Sequence, residues 1–182
     1  MPVHFYNGNF RNLLMKQLVI TILGHDRPGL VEDISTAILS HHGNWLTSNL
    51  SHLAGHFAGI LEVTVPEEHL KELQVALDEL PDLEVKIENG VEALENTPAE
   101  TLNFVITGND RPGIVQELAS VIRHKGASIT HLNSKQQSAP NWGVPIFSAV
   151  ATIELPKGMN KDEVVNALEA ITADLIVDIE SA

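Results

Sequence analysis

The stretch LVITILGHDRPGLVEDISTAI, Leu18–Ile38, contains two hydrophobic patterns separated by a polar turn. The run from Lys16 to Leu23 is apolar and rich in β-branched residues, which is typical of a buried strand. After the turn GHDRPG, Gly24–Gly29, apolar residues recur at helical spacing from Leu30 to His41. The sequence therefore predicts a strand, a tight turn and a helix in direct succession.

The same pattern returns 84 residues later as LNFVITGNDRPGIVQELASVI, Leu102–Ile122. Five of the six letters of the turn are conserved between the copies, since the second reads GNDRPG, Gly108–Gly113. Such self-similarity indicates an internal repeat. Both helices are expected to end at glycines, Gly43 and Gly126, which implies that the two copies slip by one residue there.

The rest of each copy predicts two strands, a second helix and a final strand. The order βαββαβ, found twice, is that of an α+β, ferredoxin-like fold with antiparallel sheets and helices on one face. We predict an N-terminal arm over residues 1–15, a first unit over 16–89, an acidic linker over 90–100 and a second unit over 101–182. The predicted strands that follow the first helices, with the closing strands, are Trp45–Leu53, Phe57–Val65 and Leu83–Glu88, then Ser128–Gln136, Val144–Leu155 and Leu175–Glu180.

The composition excludes several classes of function. The 24 acidic residues outnumber the 11 basic ones, and the net charge of −13 opposes binding to phosphate backbones and anionic membranes. The absence of cysteine excludes disulfides and thiolate chemistry, and it suits a reducing, cytoplasmic location. We expect no direct contact with nucleic acid or membrane, no cofactor and no metal.

The turn has two charged residues whose roles can be weighed. Asp26, like its counterpart Asp110, is placed to cap the amides of the following helix with its carboxylate. The remaining amides at a helix start attract anions such as the carboxylate of an amino acid. Arg27 and Arg111 could pair with such a ligand or with a structural carboxylate, and the sequence favours neither role.

Prolines and glycines complete the turn. Pro28 and Pro112 suit the first turn of a helix, where the missing N–H loses no partner. Gly29 and Gly113 supply backbone freedom or allow the close approach of another group.

A strand followed by G-x-D-R-P-G-[LI]-V and a helix, inside a βαββαβ unit, resembles the ACT domain. This resemblance covers about residues 16–182 and implies a regulatory module that binds a small ligand, very often an amino acid. It places the ligand where two domains meet, against the turn and the second strand. Carried over by position, the implied ligand-binding residues are His25, Asp26, Arg27, Pro28, Gly29, Leu30 and Asn49 in the first unit, and Asn109, Asp110, Arg111, Pro112, Gly113, Ile114 and Asn133 in the second.

Two such units in one short chain resemble the family of glycine cleavage system transcriptional repressors. That likeness implies a non-catalytic, amino-acid-sensing regulator responsive to glycine or a similar amino acid. It also implies action through a protein partner, such as a transcriptional activator, instead of direct action on DNA. Small units with exposed sheet edges favour association, so we expect packing within the chain or across a homo-oligomer such as a dimer.

Three other interpretations remain. The chain could be a regulatory subunit or fragment of an amino-acid or one-carbon metabolic enzyme, because a D-R-P-G unit also begins formyltetrahydrofolate deformylases. RNA-recognition motifs share the βαββαβ order, but they need exposed aromatic residues and basic surroundings. His52 and His56 have the i, i+4 spacing of a helical zinc pair, yet they flank a predicted hairpin, which makes a metal site the weaker alternative.

Overall fold

The computed structural model describes residues 14–91, 100–138 and 143–180, which form two compact units divided between the first and second ranges. The predicted arm falls outside this range up to residue 13, as do most of the predicted linker and part of the longer hairpin loop of the second unit.

The first unit has the order βαββαβ with one added turn of 3₁₀ helix, at Glu67–His69. Its sheet has the strand order β2-β3-β1-β4, with every neighbouring pair antiparallel. The elements of the first unit are β1 (Met15–His25), α1 (Leu30–Ser40), β2 (Asn44–Leu53), β3 (His56–Pro66), α2 (Leu70–Asp78) and β4 (Leu83–Asn89).

The second unit repeats this arrangement with the strand order β6-β7-β5-β8, again antiparallel throughout. The predicted ferredoxin-like fold, with two four-stranded antiparallel sheets, is confirmed. The elements of the second unit are β5 (Glu100–Asn109), α3 (Ile114–His124), β6 (Ser128–Gln137), β7 (Ile146–Leu155), α4 (Lys161–Glu169) and β8 (Ile176–Glu180).

Each sheet has one face against the helices and one open face. Along β1 the residues alternate, so that Leu18, Ile20 and Ile22 are buried while Thr21 and Leu23 are exposed. The buried set packs with apolar residues of α1 and α2, as period-2 strands and amphipathic helices require. We call the exposed side of each sheet the open face.

The four phenylalanine and tryptophan residues of the described ranges lie in or against the cores, not on the open faces. Phe104 is 0% exposed and Phe147 is 4% exposed, and both belong to the core of the second unit. Trp45 and Phe57 pack against the core of the first unit. Within residues 14–91, 100–138 and 143–180 the open faces therefore carry no phenylalanine, tyrosine or tryptophan platform of the kind that RNA-recognition motifs use.

The helix ends correct one expectation from the sequence. His42, with φ of 58°, occupies the left-handed position after α1, and Gly126, with φ of 74°, occupies it after α3. Because residue 126 lies 84 positions after residue 42, the two copies stay in register and the expected slip is wrong. Gly43 is needed for another reason: a Cβ there would lie 2.8 Å from Cγ2 of Ile38.

Candidate functional site

The G-x-D-R-P-G turns of the two units are anchored by the same backbone contact. The amide of Asp26 donates to the carbonyl of Gly55 at 3.0 Å, and that of Asp110 donates to Pro145 at 2.7 Å. Both acceptors immediately precede the third strand of their unit, β3 or β7. Each turn is thus held between the end of the first strand and the start of the third.

Glycine ends both turns in a conformation that other residues rarely adopt. Gly29 has φ of 90° and Gly113 has φ of 91°, and each is the N-cap of its helix. Because α1 and α3 begin at Leu30 and Ile114, the prolines lie before the N-cap. The expectation that Pro28 and Pro112 stand in the first helical turn is therefore wrong; they shape the preceding turn.

The aspartates of the turns do not cap the helices, which corrects a third expectation. Oδ2 of Asp26 lies 3.6 Å from Nε2 of His52 on β2, and the carboxylate of Asp110 accepts a hydrogen bond from Gln136 on β6. Residues 52 and 136 are again 84 positions apart. The aspartate therefore links the turn to the second strand in both units, through an imidazole in one and an amide in the other.

Both arginines pair with an acidic residue in the first turns of the following helix. Nη2 of Arg27 lies 2.7 Å from Oδ2 of Asp33. Arg111 donates from Nη1 and Nη2 to the two carboxylate oxygens of Glu117, at 2.8 and 2.6 Å. The hydrogen bonds of this bidentate ion pair are the main reason that the pKa of Glu117 lies below its ordinary value. They also raise the pKa of Arg111 above its ordinary value.

The carboxylate partners are residues that the sequence analysis missed. Asp33 and Glu117 each follow their arginine by six positions and coincide in the repeat alignment. The sequence signal that could have identified them is that both copies have an acidic residue at the same position of the repeat. In the first unit one guanidinium donor is left over, because Nε of Arg27 is buried and has no hydrogen-bond partner among the described residues.

The second position of the turn differs between the units and lies on the open face. His25 pairs across the sheet with His56, and their ring centroids are 5.0 Å apart. Asn109 instead donates its backbone amide to Oδ2 of Asp174 at 2.7 Å. A hydrogen bond from the Thr172 hydroxyl, followed by this amide bond, lowers the pKa of Asp174.

The predicted site residues are only partly brought together within each unit. Leu30 and Ile114 have buried side chains that belong to the cores, so only their backbone can meet a ligand. Asn49 pairs with Ile60, which pairs in turn with Thr21, four residues before His25. That separation is about 13 Å along a strand, so Asn49 lies away from the turn of its own unit.

Asn133 has the same position in the second unit. It pairs with Val150, which pairs with Val105, four residues before Asn109. The structure thus groups the turn residues with the helix start and places the two strand asparagines at a second location on the open face.

The described residues contain neither a candidate metal-binding cluster nor a candidate membrane-spanning helix. In residues 14–91, 100–138 and 143–180, no group of three or more histidine, aspartate or glutamate side chains is placed to hold a metal ion. Within those ranges no helix is both long enough and apolar enough to cross a membrane.

Comparison with known proteins shows a family match for the first unit. Residues 16–88 match the family model described as the ACT domain, and the second unit repeats the fold of that region. The first unit is therefore similar to an ACT domain, and the chain has a tandem ACT-like fold. No curated protein matches the sequence.

Two solved structures extend over nearly the whole chain. An unknown protein from Galdieria sulphuraria is 27% identical, covers 92% of this chain and 99% of its own, and superposes with a TM-score of 0.80. A candidate glycine cleavage system transcriptional repressor is 18% identical, with coverage of 92% and 97% and a TM-score of 0.67. The similarity to the candidate repressor is a similarity of fold.

Proposed function

We propose that this chain is a non-catalytic regulatory protein that senses an amino acid through its G-x-D-R-P-G turns. The observation that carries the proposal is that one chain builds the same turn twice, with the same anchors and the same arginine–carboxylate pair. Its similarity to the ACT domain and the repressor-like fold of the pair support a role in regulation.

The helix starts supply the chemistry for a carboxylate ligand. The N-cap residue is glycine in both units, and no described side chain accepts a hydrogen bond from the first amides of α1 or α3. Those amides and the helix dipole favour a negative group. In the first unit the buried Nε of Arg27 has no hydrogen-bond partner among the described residues and is a further unused donor of the turn.

The partner in this proposal is a protein that binds DNA, not DNA itself. A net charge of −13 repels the phosphate backbone and suits a basic surface on a transcriptional activator. We propose glycine, or an amino acid of similar size, as the signal, and action in the cytoplasm as a homo-oligomer. The alternative is a regulatory subunit or fragment of an amino-acid or one-carbon metabolic enzyme, which copurification with a catalytic chain would favour.

Isothermal titration of the full chain against the common amino acids tests the sensor proposal. We expect glycine or a similar amino acid to bind, and Arg27→Gln to weaken that binding about fivefold to tenfold through loss of a charge-assisted donor. The absence of binding by every amino acid, serine and glycine included, would remove the sensor function.

Asp33→Asn is the matched control for Arg27→Gln. Both variants break the same ion pair, but only the control keeps the guanidinium. If Arg27 contacts the ligand, the control binds as tightly as the unmodified chain. Equal weakening by the two variants would show that the arginine acts only by holding the turn.

A further inference from the structure

The second helix of the first unit presents a row of exposed side chains spaced four residues apart. Lys71, Val75 and Glu79 lie along one line on α2, where Glu79 is the residue that ends the helix. All three are exposed, and Val75 is 56% exposed although it is apolar. We call this row the α2 ridge. It has an apolar centre, a positive charge at one end and a negative charge at the other.

Both charges of the α2 ridge stand at the less favourable end of the helix dipole. Lys71 lies in the first turn, where a negative charge is favoured, and Glu79 lies at the last, where a positive charge is favoured. Neither side chain has a hydrogen-bond or ion-pair partner among the described residues. They are about 12 Å apart along the helix axis, which is too far for them to pair with each other. Both charges are therefore available to groups outside the chain.

A groove of about 410 Å³ runs beside the ridge and is lined by its three residues with His41, Glu72 and Ala76. Glu72 and Ala76 form the neighbouring row of α2, and the small side chain of Ala76 leaves room beside Val75. Glu72 differs from the ridge charges because it already bonds Nδ1 of His69, at 2.9 Å. The commonest packing of two helices places such a row of one helix in the groove between rows of the other. This face of α2 thus has both a ridge and a groove that can receive one.

We propose that the α2 ridge is a self-association surface that binds the same ridge of a second copy of this chain, with the two helices antiparallel. A two-fold axis at Val75 brings the two valines together and places Lys71 of each copy beside Glu79 of the other. Each lysine is then near the C-terminal end of the neighbouring helix, so the pairing offsets the unfavourable placement of both charges. The inference rests on the proposed function, because it names the surface of the homo-oligomer proposed there.

The second unit does not repeat this row. Its helix α4 aligns with α2 by the buried residues, since Val164 takes the place of Leu73 and Leu168 that of Leu77. The three ridge positions are occupied there by Asp162, Asn166 and Ala170. That row has neither a cation nor a large apolar side chain. The proposed surface thus belongs to the first unit, and one such surface in each chain gives a closed dimer.

The size of the surface sets the strength of the association. Helix α2 has 9 residues and is about 14 Å long, so a pair of such helices buries less than the roughly 1,200–2,000 Å² of a stable interface. The net charge of −13 on each copy adds a long-range repulsion. We therefore expect a weak dimer, with a dissociation constant on the order of 100 μM to 1 mM.

Sedimentation equilibrium of the full chain, with an NMR dilution series from about 1 mM to 10 μM, tests the surface. The amide signals of Val75 and Ala76 are expected to shift with concentration. Lys71→Glu and Glu79→Lys each turn both intermolecular ion pairs into repulsions, so either is expected to weaken the dimer about tenfold. Both changes suit the helix dipole, so α2 is expected to remain folded.

Lys161→Glu is the matched control, because it makes the same change of charge in the first turn of α4. It is expected to leave the dissociation constant unchanged apart from the small effect of net charge. Weakening by this control equal to that by Lys71→Glu would overturn the surface.

An equimolar mixture of the Lys71→Glu and Glu79→Lys variants tests the antiparallel arrangement. The acidic side chain introduced at position 71 then faces the basic side chain introduced at position 79, and the native Lys71 and Glu79 pair at the other contact. The mixture is expected to dimerise as the unmodified chain does, while each variant alone stays largely monomeric. A mixture no more associated than its components would overturn the arrangement.

The outcomes separate this surface from the proposal on which it rests. If the chain dimerises and Lys71→Glu has no effect, the surface fails and the homo-oligomer stands. If the chain remains monomeric over the whole range, the surface and the homo-oligomer both fail. Isothermal titration of the same samples with glycine reports on amino-acid sensing separately, so that function stands or fails by its own measurement.

Discussion

Gly24 and Gly108 are the first residues of the two turns, and they lie against the backbone that leads into the last strand. A Cβ at Gly24 would lie 2.2 Å from the carbonyl oxygen of Asp82. At Gly108 the nearest atoms would be Cδ1 of Leu175 at 2.9 Å and the carbonyl of Asp174 at 3.4 Å. The closest contact at Gly24 is with a backbone atom, whereas the closest contact at Gly108 is with a side chain that can move.

Alanine at these two positions should therefore have unequal effects. Gly24→Ala is expected to lower the free energy of unfolding by about 1–3 kcal/mol, because the backbone must shift to admit the methyl group. Gly108→Ala should cost less, since Leu175 can change rotamer. Denaturant unfolding followed by unit-specific NMR signals measures both, and a larger loss at Gly108 would contradict the comparison.

Glu117 and Asp174 make the second unit sensitive to acid. Hydrogen bonding to Arg111 lowers the pKa of Glu117 from 4.5, and bonding to Thr172 and Asn109 lowers that of Asp174 from 3.8. Because the folded-state values lie below the unfolded ones, this stabilisation is present above those ordinary values. It is lost as the pH falls through the folded-state values.

We expect Glu117→Gln to reduce the acid sensitivity of the second unit. The variant should be less stable at neutral pH, and the difference from the unmodified chain should shrink below about pH 4. Thermal unfolding between about pH 7 and pH 3 measures this, with the exposed Glu163→Gln as the control. A difference that stays constant over the whole range would contradict the role given to the ion pair.

At the scale of elements, the hairpin between β2 and β3 contains a local strain. Its two turn residues, Ala54 and Gly55, have φ of 51° and 80°. Positive φ at both positions is the mark of a type I′ turn, for which Asn-Gly is the preferred pair. Alanine is an unfavourable residue at the first position.

Replacing Ala54 should change stability in either direction according to the side chain. Ala54→Asn is expected to raise the free energy of unfolding by about 0.5–1 kcal/mol, since asparagine tolerates the left-handed conformation. Ala54→Val should lower it, because a β-branched residue tolerates that conformation poorly. Chemical denaturation of the two variants gives the comparison, and equal stability would show that the turn adopts another conformation.

The elements were predictable because their signals are local. Period-2 and helical apolar patterns predicted the two sheets and the four α-helices of the described residues, and the repeat predicted their order. The end of α1 was not predictable in the same way, because glycine is the usual left-handed residue and His42 takes that position instead. The usual preference for glycine at the left-handed position after a helix therefore does not determine which residue adopts it.

The candidate site was less predictable than the fold, because some of its contacts join distant parts of the chain. The repeat singled out Asp26 and Arg27, and the acidic residue six positions after each arginine was a signal for Asp33. The contact of Asp26 with His52, by contrast, follows from tertiary placement. Capping was the expectation for Asp26 because local spacing allows it. Instead of capping the helix, the carboxylate lies 3.6 Å from His52 on β2, a contact that no local pattern encodes.

At the scale of the whole molecule, the net charge and the positions of the aromatic residues both bear on whether the chain binds nucleic acid. The net charge is −13, and the four aromatic residues that could stack on bases pack in or against the cores. Binding to RNA needs both a basic surface and exposed rings. Neither the electrostatic nor the stacking contribution is therefore favourable on the described surface.

We expect the full chain to show no binding to single-stranded RNA even at low salt, where phosphate contacts are strongest. Filter binding at about 20 mM salt, with a basic RNA-binding protein as positive control, measures this. Because screening weakens repulsion as well as attraction, retention that rises with added salt would indicate nonspecific adsorption. Tight, salt-sensitive retention at low salt would mean that a basic surface forms despite the composition, and it would contradict regulation through a protein partner alone.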